Sequence, residues 1–228
     1  MASRRAADEL IASGAVRVNG RVPPPDGLIV DPERDRVTVS GRPVKPVTTH
    51  RYLMLNKPLG VITTAKDESG RTSVLDVVGD EGLNGHRLFP VGRLDADSTG
   101  LILLTDDGDL AHKLTHPSFE VPKTYRVKVR ELPVSEGSLR RMREGLNLED
   151  GRTAPAQVRQ AKPGILEITI HEGRKHQVKR MCEAIGHPVV TLTRIAIGPL
   201  RLGDLAVGGV RRLSAAEVQR LRDAAGPD

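Results

Sequence analysis

Two kinds of apolar run stand out along this chain. YLMLNK (52–57) and GLILLT (100–105) are nearly continuous, whereas TYRVKV (124–129) and ILEITI (165–170) alternate apolar with polar positions; all four predict β-strands. Between Arg174 and Ile185 the period changes. Val178, Met181, Cys182 and Ile185 recur at i, i+3, i+4 and i+7, which predicts a helix over 174–185 closed by Gly186. A second helix is predicted over 214–222, with Ser214 and Glu217 spaced as a capping box and Leu213 placed to staple onto Val218.

The first 45 residues have a finer texture. RRAADELIAS (4–13) reads as a short amphipathic helix stopped by Gly14. Val16 and Val18 then alternate with Arg17 up to Asn19-Gly20, a dipeptide favoured in tight hairpin turns, and alternation returns from Arg36 to Val39 before Ser40-Gly41. So few short elements bury little core. RPVKPVTTH (42–50), with Pro43 and Pro46, predicts a linker between this module and an α+β domain over 50–228.

Composition narrows the function classes. The net charge of +6 suits a polyanionic partner, yet two Tyr, two Phe and no Trp disfavour platforms that grip single strands by stacking. Any nucleic-acid contact must then use Arg, Lys, backbone and shape. Cys182 is the only cysteine, which excludes an intramolecular disulfide and a thiolate zinc site and points to a reducing, cytoplasmic setting. The apolar runs are too short to cross a membrane. Arg4-Arg5 would need an apolar core next to act as an export signal, and Asp8 and Glu9 stand there instead.

The densest chemistry lies in VGRLDADSTGLILLTDDGD (91–109). Asp95, Asp97, Thr99, Gly100 and Asp106 match positions 1, 3, 5, 6 and 12 of a calcium-loop template, but amphipathic flanking helices are missing and Arg93 brings positive charge. A solvated acidic turn is the simpler reading. Asp95, between Leu94 and Ala96 at the mouth of an apolar strand, is less routine. The histidines are spaced wrongly for the helical zinc-protease pattern, and Walker and Rossmann glycine patterns are absent, so neither metal nor nucleotide cofactor is expected.

GRLDADSTGLILLTDDG resembles the catalytic-aspartate motif of the pseudouridine synthases, in the branch acting on small- and large-subunit ribosomal RNA. Three further segments agree in order: MLNKPLGVITT (54–64), KTYRVKV (123–129) and EGRKHQVKRMCEAIGHPVVTLTRIAIG (172–198). The resemblance spans nearly all of residues 50–213. It implies a mixed, largely antiparallel sheet, no cofactor, and isomerisation of a uridine in ribosomal RNA, the large-subunit branch being the closer. It also implies that Asp95 is the catalytic carboxylate, Tyr125 packs on the target base, Lys179 pairs with Asp95, and Arg93 helps hold the nucleotide out of the stack. Lys175 and Arg180 are close rivals of Lys179 for that pairing, and Arg174 and Lys175 are further candidates for RNA contact.

ASRRAADELIASGAVRVNGRV (2–22) resembles the alpha-L RNA-binding module first described in a small-subunit ribosomal protein. That likeness makes Arg4, Arg5, Arg17 and Arg21 candidate phosphate contacts. The related modules begin with one helix more, which implies that the first helix is absent here. A monomer with ribosomal RNA as partner is expected. A catalytically silent ribosome-assembly factor would keep the basic surface without needing Asp95, and a calcium-binding regulator would need Asp97 and Asp106.

Overall fold

A computed structural model describes residues 4–44, 49–65, 67, 69–130 and 132–226. The chain divides into two compact units, 1–50 and 51–228.

In the first unit, α1 (Arg4–Ala12) ends as its glycine predicts. Gly14 adopts φ +72°, its N–H reaches the Ile11 carbonyl, and the Ala15 N–H reaches back to Leu10, a Schellman closure. Then come β1 (Val16–Val18), β2 (Val37–Val39) and β3 (Arg42–Pro43), a three-stranded antiparallel sheet. Asn19 and Gly20 do form a tight turn, both with positive φ, but the chain pairs back only at Arg21 before leaving through Pro23–Pro25. The strand beside β1 is β2, some twenty residues on, so the turn does not make the expected hairpin. Arg42 and Pro43 belong to the sheet rather than to a linker, and Pro46 lies outside the described residues.

The second unit opens with β4 (Tyr52–Lys57), α2 (Val74–Leu83), β5 (Phe89–Val91), β6 (Thr99–Thr105) and α3 (Gly108–Thr115). It continues with β7 (Lys123–Val129), α4 (Glu136–Glu144), a small β8–β9 ribbon (Asn147–Leu148, Gly151–Arg152), β10 (Gln157–Lys162) and β11 (Ile165–Ile170). The last elements are α5 (Gln177–Ala184), β12 (Val189–Ile197), β13 (Leu200–Arg201), β14 (Val210–Arg212) and α6 (Ala215–Ala224). The main sheet runs β10-β11-β7-β12-β6-β4-β14, with β13 on β12 and β5 on β6. Every pair is antiparallel except β12 with β6, so the sheet is mixed and largely antiparallel.

Burial follows the two kinds of apolar run. The continuous runs form β4 and β6, which are covered on both faces. Leu53, Leu55, Ile102 and Leu104 pack with Val74 and Val78 of α2, while Met54, Leu101 and Leu103 pack with α3 and α6. The alternating runs form β7 and β11, which bury one face: Val127, Val129, Leu166, Ile168 and Ile170 lie under α4 and α5. The parallel pair β6–β12 joins the two halves, and the chemistry gathers beside it.

Candidate active site

Asp95 sits in the loop that leads into β6, and three contacts hold that loop. Thr63 donates to the Leu94 carbonyl (2.7 Å) and accepts from the Leu94 N–H (3.2 Å), and Gly60 N–H donates to the Ala96 carbonyl (2.7 Å). The supporting segment 58–63 is itself shaped by Lys57. That lysine is fully buried, its Nζ donating to the carbonyls of Val61 (2.6 Å) and Pro58 (2.9 Å). Burial lowers its pKa to about 8, although Asp95 and Asp97 act in the opposite direction. Sequence reasoning missed Lys57, because nothing in NKPLG marks a lysine as buried.

Lys179, in the first turn of α5, reaches across to this loop. Its Nζ donates to Asp95 Oδ2 (3.0 Å) and to Asp97 Oδ1 (2.5 Å). Burial alone would lower the Lys179 pKa, but the hydrogen bonds to Asp97 and Asp95 outweigh it and the net shift is upward, so the ammonium stays charged. The same contact holds Asp97 below the usual carboxylate range. Of the three neighbouring cations, Lys179 is the one at Asp95. Arg180 makes a two-pronged pair with Asp150 (2.9 and 2.9 Å), and Lys175 is exposed at the rim.

The helix over 174–185 starts later than its periodicity suggests. Residues 174–176 form a turn, and His176 adopts a left-handed conformation (φ +51°) that brings Nε2 within 3.5 Å of Asp95 Oδ1. Side chains satisfy the backbone there in place of a helix: Gln177 accepts from the Arg174 N–H (3.1 Å) and donates to Glu172 (2.5 Å). From Gln177 on, the expected face holds. Val178, Met181, Cys182 and Ile185 are buried, and Gly186 with His187 closes the helix as a Schellman motif. Burial pushes the Cys182 thiol up to about 12, which removes it as a nucleophile.

Between the Asp95 loop and α5 lies a cleft of about 660 Å³, a volume common for small-ligand sites. Asp95, Arg93, Tyr125, Lys175 and His176 all line it. Tyr125 is half-buried against the α4–α5 core, and Arg93 is exposed. Arg174 also lines the cleft, but its guanidinium is bound to Glu172 (3.0 Å) and to the carbonyls of Asp150, Gly151 and Arg152, so it braces the loop. Two further cations, Lys123 and the buried Arg194, form part of the wall and were not singled out in the sequence. In the first unit, Arg5, Arg17 and Arg21 are exposed and Arg4 opens α1; a larger hollow there is lined mainly by apolar side chains and prolines.

The calcium-loop template does not assemble. Asp95 and Asp106 lie beyond opposite ends of β6, a seven-residue strand of roughly 20 Å, and Asp106 is taken up by His86 (2.9 Å) and the Arg51 N–H (2.9 Å). No helix among the described residues is long and apolar enough to cross a membrane.

Comparison with known proteins bears on what this cleft does. The RNA pseudouridylate synthase family model matches residues 51–184. A protein named as an RNA pseudouridine synthase from Aquifex aeolicus is 45% identical, over 99% of this chain and 91% of its own. The ribosomal large subunit pseudouridine synthase B of Bacillus subtilis is 44% identical, over 97% and 91%. A crystal structure of a pseudouridylate synthase matches with a TM-score of 0.71 and 35% identity, covering 96% of this chain and 94% of that one. Motif, fold and near full-length relatives agree: the chain belongs to the RNA pseudouridine synthases, isomerases that convert uridine to pseudouridine.

Proposed function

We propose that this protein isomerises a uridine of large-subunit ribosomal RNA, with Asp95 as the catalytic carboxylate and Lys179 as the cation paired with it. The observation that carries the reading is the Asp95–Lys179 pair at 3.0 Å, with Asp95 on the wall of a cleft of about 660 Å³. The large-subunit target rests on the Bacillus subtilis relative. Tyr125 packs on the base, and exposed Arg93 holds the nucleotide out of the RNA stack at the cleft mouth. Residues 1–45 act as the alpha-L module, and Arg5, Arg17 and Arg21 touch backbone phosphates. The protein works as a cytoplasmic monomer without a cofactor.

The test is tritium release from ribosomal RNA labelled at uridine C5, since rejoining the base through C5 expels that hydrogen. Asp95→Asn keeps the shape but loses the charge and the nucleophile. It should fold, bind RNA near wild-type affinity, and lose turnover by several orders of magnitude. Asp95→Glu should not rescue, because a misplacement of ~1 Å can cost ~100-fold. A folded, RNA-binding Asp95→Asn protein that releases tritium at the wild-type rate would falsify the assignment.

A further inference from the structure

Besides Asp95, the cleft wall carries two cations, Arg194 and Lys123, that make no ion pair among the described residues. Arg194 on β12 pairs directly with Tyr125 on β7, and Lys123 lies two residues before Tyr125, so all three side chains share one face of the sheet. Arg194 is only 3% exposed. Its Nε donates to the Leu101 carbonyl (2.8 Å) and Nη1 to the Arg93 carbonyl (3.3 Å), while Nη2 is buried and has no partner among the described residues. Among the described residues, no carboxylate lies within ion-pair distance of Arg194 or of Lys123. Burial and the neighbouring Arg194 both lower the Lys123 pKa. Two crowded cations, both with unused donors among the described residues, are costly unless an acceptor arrives.

The position is also enforced. Gly100 of β6 faces Arg194 across the parallel pair with φ +103°, and a Cβ there would stand 2.3 Å from the Arg194 carbonyl oxygen. Only glycine lets β12 approach closely enough to seat the guanidinium at this depth.

We propose that Arg194 and Lys123 receive the uracil ring and stabilise the negative charge that its carbonyl oxygens gain during the reaction. This rests on the uridine-isomerising reading. A polynucleotide keeps its phosphates at the surface and sends a flipped base inward, so the group that reaches a buried guanidinium is the base. When the C1′–N1 bond breaks, its electron pair leaves with N1 and spreads onto O2 and O4. When the C1′–C5 bond forms, a pair from the base goes to C1′, the C5 hydrogen leaves as a proton to solvent, and N1 takes up a proton from solvent, so the product is a neutral isomer. If Asp95 first adds to C6 of the base, the charge again falls on O4, so either route loads the same donors. Preorganised donors of this kind, aimed at developing charge, are each worth ~100-fold or more in rate.

The experiment uses the full-length protein and large-subunit ribosomal RNA transcribed with uridine or with 5-fluorouridine, whose base is a better leaving group. Single-turnover loss of the N-glycoside, RNA affinity and the salt dependence of binding are measured for Lys123→Met and Arg194→Met. Among the described residues the Lys123 ammonium has no hydrogen-bond partner, so its variant tests the idea without disturbing a brace. The expected result is a loss of about 100-fold or more on uridine for each of Lys123→Met and Arg194→Met. Affinity and salt slope should stay near wild type, and both losses should shrink several-fold on 5-fluorouridine. Three results overturn the inference: wild-type rates in Lys123→Met, losses confined to affinity and salt slope as for a phosphate contact, or equal losses on both leaving groups. Absence of tritium release by the wild-type protein would instead remove the underlying reading.

Discussion

Lys179 donates to two carboxylates that differ in how much water they see. The Asp95 side chain is 39% exposed and that of Asp97 71%, so the shorter contact is the one solvent screens more. An ion pair that open is worth ~0–1 kcal/mol, which is less than a factor of ten in rate. Asp97→Asn should therefore keep turnover within about tenfold of wild type in the tritium-release assay, against several orders lost in Asp95→Asn. Comparable losses would show that Asp97 is an equal partner in the chemistry. The motifs singled out Asp95 and Tyr125, which both line the cleft, and named Lys179 as one of three candidates for the contact with Asp95 that it makes. His176 and Lys57 were not, because their importance lies in a left-handed turn and in burial, neither of which a residue type announces.

Strands were easier to place than helices. The four apolar runs are all β-strands, and their continuous or alternating texture matches whether one or both faces are covered. The helices α2, α3 and α4 are not among the elements that the sequence predicts. At the contact of β6 with β12, Gly100→Ala would force a Cβ into the Arg194 backbone at a left-handed φ. The expected cost is at least about 2 kcal/mol in urea denaturation, together with loss of turnover. An unchanged unfolding midpoint would mean that the two strands tolerate wider spacing.

The C-terminal helix gives a pH test at the same scale. α6 begins with the expected capping box, and Glu217 also pairs with Arg211 (2.7 and 2.9 Å). The Arg211 hydrogen bonds lower the Glu217 pKa from 4.5 to about 2. A depressed carboxylate stabilises the fold fully above its unfolded pKa and loses that contribution as pH falls toward the folded one. Glu217→Gln should therefore be less stable than wild type at pH 7, with the gap closing between about pH 4.5 and 2. Urea midpoints across that range decide it; a gap independent of pH would assign the effect to shape rather than charge.

At the scale of the whole molecule, the second unit contains the cleft and its own core, while the first offers exposed arginines on a helix and a small sheet. Removing residues 1–50 should weaken RNA binding and flatten its salt dependence, by ~0.7 to 0.9 in log–log slope for each phosphate that is no longer neutralised. Single-turnover rate at saturating RNA should change far less. An unchanged slope would mean that the first unit does not touch the RNA backbone.

By itself, the sequence determined the strands with strong apolar signatures, the capping of α6, the glycine closures of α1 and α5, and the choice of Asp95 as the candidate carboxylate. Each of these is written in neighbouring residues, through periodicity, a cap or a contiguous motif. The tertiary structure decided which strand lies beside β1, where α5 begins, which of three cations meets Asp95, and that Lys57 and Arg194 are buried. Those outcomes depend on contacts between residues tens of positions apart, such as Lys179 with Asp95 and Arg194 with Leu101, and on close approach at Gly100. Local patterns record the face a residue presents, whereas packing determines what that face meets.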